Sequence, residues 1–158
     1  MKNINMFVEL ENKMEEKKYE LTEETIHVPS CTLHRIKALK DFSDVHKGDL
    51  GGFIEKEDNL SQDGNCWVFN DAKVFDNAIV YDDALIGDGA NVYDNAIICG
   101  EAQVYGNAKV YENAKVYGNA QVYDSAEVYG NSYVCENAEI CEHAWVLDDA
   151  CVFDNAEV

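Results

Sequence analysis

A six-residue repeat runs without interruption from Cys66 to Asn155 and constrains the fold more than any other feature of this chain. Its unit is Ala-x-Val-Tyr-x-Asn, clearest at residues 108–113, and the third position is Val or Ile in all fifteen units. A period of six does not match the 3.6-residue turn of an α-helix. We therefore expect each unit to form a short strand followed by a corner.

The hexad also predicts where each position points. Positions one and three of an extended segment face the same side, so Ala and Val or Ile form an apolar column while position two points outward. Positions five and six are Gly, Asp, Asn, Glu or Ser in nearly every unit, and these residues suit a left-handed corner. Three hexads close a coil of 18 residues, so about five coils stack into an all-β parallel β-helix over residues 66–158.

This repeat resembles the left-handed parallel β-helix of hexapeptide-repeat proteins, in which an aliphatic residue follows a small one by two positions. The residue after the aliphatic one is commonly small in that family, whereas it is aromatic in ten units here. Residues 18 apart meet on neighbouring coils, so Tyr93, Tyr111 and Tyr129 are predicted to form one ladder and Tyr105 and Tyr123 another. Such ladders either shield the coil corners or offer a surface on which a ligand stacks.

Residues 1–65 lie outside the repeat and are expected to form an N-terminal segment and cap. The ends of stacked coils expose unpaired backbone, which invites aggregation unless it is covered. We therefore expect this segment to seal the first coil. Its predicted elements are a short helix over residues 3–17, strands over 18–22 and 32–39, and an irregular first coil entered through 48–54 with Leu60 inside.

The same segment resembles the leader of phage- and prophage-encoded hexapeptide-repeat proteins. The resemblance rests on residues 33–42 (LHRIKALKDF), 48–55 (GDLGGFIE), 59–61 (NLS) and 66–68 (CWV), and with the repeat it spans residues 17–158. That family brings no assigned activity. It implies a phage-encoded accessory protein in the cytoplasm of a bacterial host.

The charge balance narrows the class of partner. The chain has 31 Asp and Glu against 12 Lys and Arg, a net charge of −19. A direct nucleic-acid binder needs a basic face, and no stretch approaches the roughly 20 apolar residues of a membrane span. We therefore expect a host protein partner with a basic surface, and neither direct nucleic-acid binding nor a membrane.

Candidate catalytic and metal-binding residues are few. The six cysteines include no Cys-x-x-Cys pair and are expected to be reduced thiols, and nothing near Cys141 and His143 completes a zinc site. Hexapeptide acyltransferases resemble this fold, but they need a histidine base and an extruded loop, whereas the repeat has one histidine and no inserted loop. We therefore expect no enzyme, no metal and no cofactor, with an acyltransferase as the least favoured alternative.

Acidic residues at one corner of the coil carry the functional hypothesis that we favour. The acids of the repeat spread almost evenly over its three corners, which solubility alone would also produce. In our hypothesis the protein is a non-enzymatic acidic decoy that mimics DNA and inhibits a host defence or nucleic-acid-handling protein; the alternative is a structural or assembly element. The corner expected to bind the partner consists of Asp76, Asp94, Glu112, Asp148 and Asp149.

The three hexads of a coil form three walls, and every third hexad lies on the same wall. Outward side chains can therefore be sorted by wall. The first wall begins at Trp67, the second at Lys73 and the third at Ile79. The third wall is apolar at nearly every outward position, and a monomer rarely exposes a large apolar patch. We expect it to form a homo-oligomer, a dimer before a trimer, unless the N-terminal segment covers it. This apolar stripe consists of Ile79, Tyr81, Ile97, Cys99, Tyr117, Tyr133, Cys135, Cys151 and Phe153.

Overall fold

The computed structural model describes residues 17–158, which are built from strands and one short 3₁₀-helix at Glu57–Asn59. This part of the chain contains no α-helix, and none of its helical structure is long and apolar enough to cross a membrane. The helix expected over residues 3–17 lies outside the described residues except for Lys17. Three longer strands come first: β1 (Tyr19–His27), β2 (Thr32–Ala38) and β3 (Leu50–Ile54).

Fifteen two-residue strands follow, one in each hexad. Each pairs in parallel with the strand one coil away, so that Val110 lies opposite both Val92 and Val128. This register confirms the predicted coil of 18 residues, and the described residues form an all-β parallel β-solenoid of about six turns. The strands are β4 (Trp67–Val68), β5 (Lys73–Val74), β6 (Ile79–Val80), β7 (Leu85–Ile86), β8 (Asn91–Val92), β9 (Ile97–Ile98), β10 (Gln103–Val104), β11 (Lys109–Val110), β12 (Lys115–Val116), β13 (Gln121–Val122), β14 (Glu127–Val128), β15 (Tyr133–Val134), β16 (Glu139–Ile140), β17 (Trp145–Val146) and β18 (Cys151–Val152).

The strands form the three predicted walls. The first wall contains β4, β7, β10, β13 and β16, and the third contains β6, β9, β12, β15 and β18. The second wall contains β5, β8, β11, β14 and β17 and continues through β3, β2 and β1 into a sheet of eight strands. We name each corner after the wall that precedes it. In the coil that starts at Cys66, the first corner is residues 69–71, the second is 75–77 and the third is 81–83. Each corner recurs every 18 residues along the chain.

The core is a single column of small and branched side chains. Val or Ile at position three and Ala at position one are buried along the repeat, until the last coil, where Ala150 and Ala156 are exposed. Where Ser132 replaces Ala, its hydroxyl donates to the carbonyl oxygen of Tyr129 at 2.7 Å. That bond satisfies a polar group that would otherwise be buried without a partner. The interior predicted from the hexad is confirmed.

Every hexad turns its corner with a left-handed backbone at position five. All fifteen residues at that position have φ between 52° and 73°. Asn and Asp adopt this region more readily than other non-glycine residues, and they occupy most of these positions, with Gly or Glu at the rest. The sequence places the left-handed residues at positions five and six together, and the structure assigns the conformation to position five.

An incomplete first coil lies at the N-terminal end of the repeat. β3 pairs in parallel with β5, and Leu60 forms an isolated parallel bridge with Val80 on the third wall. Leu60 is fully buried, as predicted. β1 and β2 then extend the sheet as antiparallel strands beyond β3, so the end of the second wall is covered.

Trp67 is buried, although the hexad predicts that it faces outward from the first wall. It is 1% exposed, and the rings of Tyr19 and Phe42 pack edge-on against it with centroids at 6.1 and 5.3 Å. The N-terminal segment folds over this first strand of the wall and buries a side chain on the outer side of the coil. The six-residue pattern carries no information about that contact.

A buried lysine joins the cap to the first coil. Lys18 is 1% exposed. Its Nζ donates to the carbonyl oxygens of Cys66 at 2.8 Å, Gly64 at 3.3 Å and Asp63 at 3.4 Å. These acceptors offset much of the lost hydration of the ammonium group, while burial lowers its pKa below the usual value. The cap is therefore fixed to the corner from which the repeat begins.

Candidate interaction surfaces and side-chain clusters

The second corner carries an open groove of about 510 Å³. Three of the five acids predicted to bind a partner, Asp76, Asp94 and Glu112, lie together in it. Asp148 and Asp149 do not line it, because they lie two coils beyond Glu112 and Gly130 stands between them along this corner. The lining residues are Glu55, Lys56, Asp76, Asn77, Asp94, Asn95, Glu112 and Asn113.

The carboxylates of this groove also belong to the backbone scaffold. Oδ2 of Asp76 accepts a hydrogen bond from the backbone N–H of Asp94 at 3.4 Å, and Oδ2 of Asp94 accepts one from Glu112 at 3.1 Å. Oε2 of Glu112 accepts one from Gly130 at 2.8 Å. The same bond recurs at the first and third corners. One oxygen of each carboxylate therefore links two coils, while its negative charge stays at the surface.

An asparagine ladder runs beside these carboxylates at position six. Asn77, Asn95, Asn113 and Asn131 bond in sequence, each Nδ2 donating to the next Oδ1 at 3.1–3.3 Å. Asn131 continues the series to Asp149 at 3.2 Å. The groove thus presents a row of carboxylates next to a row of amides.

Both predicted aromatic ladders are confirmed. The centroids of Tyr93, Tyr111 and Tyr129 stack at 5.0–5.1 Å with nearly parallel rings, and those of Tyr105 and Tyr123 are 5.1 Å apart. The rings are half-buried along the corners. Burial raises the pKa of Tyr93 and of Tyr105 above the usual value.

The ladder on the first corner has a gap at Gly87. Phe69, Gly87 and Tyr105 occupy the same position on three successive coils, and a cavity of about 270 Å³ opens there. A Cβ atom built on Gly87 would lie 3.8 Å from the Cβ of Tyr105 and 4.0 Å from that of Phe69, both ordinary contacts. The gap is therefore a missing side chain and not a site where the backbone requires glycine.

Within residues 17–158, no other segment covers the apolar stripe of the third wall. Ile79, Tyr81, Tyr117, Tyr133 and Phe153 are 38–50% exposed. Ile97 and Cys99 are half-buried and Cys151 is exposed. The stripe therefore presents an apolar face along the length of the solenoid.

Cys135 and Lys115 reduce the apolar surface of this stripe. Cys135, predicted to be part of it, is only 7% exposed, so it offers little surface to a partner. Lys115 interrupts the stripe, with its Nζ 5.4 Å from the ring centroid of Tyr133. The neighbouring thiols of Cys99 and Cys135 raise the pKa of Tyr81 and of Tyr117, each to about 12.

A cluster of metal-ligating groups lies where strands β2, β3 and β5 meet. The thiol of Cys31 and one carboxylate oxygen each of Glu55 and Asp76 lie within 4.8 Å of one another, and residues 17–158 contain no other such group. Cys31 precedes β2, Glu55 follows β3 and Asp76 closely follows β5. Antiparallel pairing of β2 with β3 and parallel pairing of β3 with β5 bring these strand ends together.

The surroundings of Cys31 are partly enclosed. Burial raises the pKa of its thiol, and the charges of Glu55 and Asp76 add to that increase. The hydroxyl of Ser30 donates to Oδ1 of Asp76 at 3.2 Å. Sequence reasoning missed this cluster because only the register of the cap strands reveals it; no spacing motif connects the three residues.

Two histidines lie on the β1–β2 hairpin, where His27 pairs with Thr32 and His34 pairs with Thr25. Nδ1 of His34 lies 3.1 Å from the carbonyl oxygen of Thr22, and Nδ1 of His27 lies 2.9 Å from Oγ1 of Thr32. His143 is exposed at the last coils and lines a cavity of about 490 Å³ together with Cys141, Glu142, Ala144, Glu157 and Val158.

Comparison with known proteins supports the solenoid repeat. Residues 102–118 match the repeat family described as YdcK Beta solenoid repeat. A 42-residue segment is 43% identical to a protein of Escherichia coli (strain K12) named uncharacterized acetyltransferase YdcK. The match covers 27% of this chain and 13% of that relative. The phage origin expected from the leader stays a prediction, as does the left-handed sense of the coil.

Proposed function

We propose that the protein is a non-catalytic binding scaffold that receives a basic segment of a partner protein in the groove of the second corner. The observation that supports this proposal is the row formed by Asp76, Asp94 and Glu112, whose carboxylates recur once per coil along an open surface. Asn77 and Asn95 add amide groups along the same line. A chain of Lys or Arg side chains laid along this corner would meet a carboxylate at each coil.

Repulsion between the stacked carboxylates favours the binding of cations in the groove. Strand spacing sets neighbouring coils about 4.8 Å apart, and carboxylates at such distances repel each other. Their bonds to the next coil's backbone amides reduce that repulsion without removing the charge. A cationic partner relieves it further, and its affinity must fall as salt screens the pairing.

The test measures binding of an oligolysine peptide to the full chain at low and high salt. Asp94→Asn with Glu112→Gln removes two charges but keeps an oxygen that can accept the backbone bond. We expect its dissociation constant to rise about fivefold. The matched control is Asp124→Asn with Glu142→Gln on the first corner, where the corresponding backbone bond is also 3.1 Å. Equal losses in both variants would contradict a groove-specific site.

In a sharper form of this proposal, the partner is a host defence or nucleic-acid-handling protein for which the acidic rod replaces DNA. Its support is the net charge of −19 and the regular charge spacing along the corner. The test captures the partner from host extract with the tagged chain and adds duplex DNA. Displacement by DNA is the expected result, and retention at saturating DNA would favour a structural or assembly element.

Acyl transfer is the second candidate, because the E. coli relative is named an acetyltransferase. His143, which lines the cavity with Cys141 and Glu142, would be the base. The assay follows acetyl-CoA consumption in the presence of amine acceptors. Turnover that disappears in His143→Ala would establish the enzyme and overturn the non-catalytic proposal.

We also propose that the apolar stripe of the third wall joins two copies of the chain. Ile79, Tyr81, Tyr117, Tyr133 and Phe153 support this by their exposure along one continuous face. Identical stripes related by a two-fold axis cover each other completely, which is the commonest arrangement of a homodimer. The groove of the second corner would remain accessible in such a dimer if the walls meet face to face.

A further inference from the structure

We infer that Cys31, Glu55 and Asp76 form a binding site for one divalent transition-metal ion of the Zn²⁺ class, which fastens the end of the β1–β2 hairpin to the first coil of the solenoid. The three ligand atoms lie within 4.8 Å of one another. They lie at the ends of three adjacent strands, so an ion between them would join the cap to the repeat.

An unpartnered buried oxygen points to a ligand at this place. Oε2 of Glu55 is buried and has no hydrogen-bond partner within residues 17–158. A buried carboxylate oxygen without a partner is costly, because it has lost its water and gained nothing in return. A bound cation would satisfy this oxygen, which belongs to one of the three side chains of the cluster. The orphaned oxygen is an observation separate from the grouping of the three side chains.

The donor set selects the class of ion. Mg²⁺ and Ca²⁺ take oxygen ligands almost exclusively, whereas Zn²⁺ accepts thiolate and carboxylate together. Three protein ligands leave a fourth tetrahedral position for water. Zn–S and Zn–O bonds are about 2.0–2.3 Å long, so one ion between ligand atoms that lie within 4.8 Å of one another needs at most a small side-chain movement to bind all three. The hydroxyl of Ser30, bonded to Oδ1 of Asp76 at 3.2 Å, would orient that carboxylate.

This inference goes beyond the binding of a basic partner and does not depend on it. Asp76 also lines the groove, so it is left unchanged in both experiments. The groove variants change Asp94 and Glu112, and neither belongs to the ligand cluster. Failure of one proposal therefore leaves the other intact.

The primary experiment titrates the chelator-treated, reduced full chain with Co²⁺, followed by displacement with Zn²⁺. We expect one ion per chain and a visible spectrum of tetrahedral Co²⁺ with a thiolate charge-transfer band. Cys31→Ser should abolish that band, and both Cys31→Ser and Glu55→Gln should weaken Zn²⁺ binding by at least about tenfold. Cys151→Ser, which removes an exposed thiol elsewhere, should bind like the wild type.

Three results would overturn the site. They are the absence of a thiolate band in the wild type, wild-type affinity in Glu55→Gln, and an equal loss of affinity in Cys151→Ser. A second readout covers variants that fold poorly: limited proteolysis of the segment between β1 and β2, with and without Zn²⁺. Zn²⁺ should protect this segment in the wild type and in Cys151→Ser but not in Cys31→Ser, and protection that persists in Cys31→Ser would contradict the fastening role.

Discussion

Oδ2 of Asp94 accepts a hydrogen bond of 3.1 Å from the backbone N–H of Glu112, the residue at the same corner of the next coil. Both residues have a left-handed backbone, with φ of 54° and 56°. That conformation is unfavourable for residues with a Cβ atom, and the bond to the next coil compensates for it. The acids at position five are thus links between coils as well as surface charges.

Glu112 allows the two effects to be separated. Glu112→Ala keeps the unfavourable conformation and loses the bond to Gly130, so we expect it to lower the free energy of unfolding by about 1–2 kcal/mol. Glu112→Gly loses the same bond but relieves the backbone, so it should be more stable than the alanine variant by about 1 kcal/mol. Urea denaturation measures both. An alanine variant as stable as the glycine variant would contradict the left-handed corner.

The gap at Gly87 offers a stabilising substitution. Tyr at this position would complete the ladder between Phe69 and Tyr105, and the backbone accepts a Cβ atom without close contact. Gly87→Ala controls for the backbone effect of replacing glycine. We expect Gly87→Tyr to exceed Gly87→Ala in the free energy of unfolding by about 0.5–1.5 kcal/mol from ring stacking. Equal stability of the two variants in thermal denaturation would show that the ladder rings contribute no stacking energy.

Most of the fold can be predicted from the hexad, because a strictly periodic core is specified by the residues within each repeat unit. Val at position three, Ala at position one and the corner at position five repeat the same contact in every coil, and the structure confirms them. The N-terminal segment has no period, so its contacts depend on tertiary packing. The burial of Trp67 beneath Tyr19 and Phe42, and the meeting of Cys31 with Glu55 and Asp76, both depend on contacts with that segment and could not be predicted from the repeat.

The spacing of the repeat also determines how much of the candidate groove the sequence predicts. It placed Asp76, Asp94 and Glu112 at one corner, because residues 18 apart share a corner. It did not reveal that each carboxylate bonds to the backbone of the next coil, because this depends on the left-handed conformation of position five. Charge reversal at these positions would therefore disturb the fold, and amide substitutions are the appropriate test.

The raised pKa values of two tyrosines predict that the free energy of unfolding falls at alkaline pH. The pKa of Tyr81 and of Tyr117 is raised from 10.0 to about 12 by the neighbouring thiols. Between these two values the unfolded chain releases protons that the folded chain keeps, so the free energy of unfolding falls as pH rises from 10 toward 12. Below pH 10 this contribution is fully present. Tyr117→Phe should show a shallower fall in denaturation measured across this range, and an unchanged slope would contradict the assignment.

The apolar stripe predicts a dimer that two substitutions should separate. Ile97 and Tyr133 lie two coils apart on the third wall, and burial of each against a second copy would contribute about 1.5–3 kcal/mol. Ile97→Glu with Tyr133→Glu should therefore give a soluble monomer in light scattering, because the introduced charges would lose their hydration at the interface. Gln103→Glu with Gln121→Glu adds the same charges to the first wall and should leave the dimer intact. Removal of residues 1–16 should also leave it intact if a second copy, and not the N-terminal segment, covers the stripe. A wild-type chain that remains monomeric at high concentration would contradict this interface.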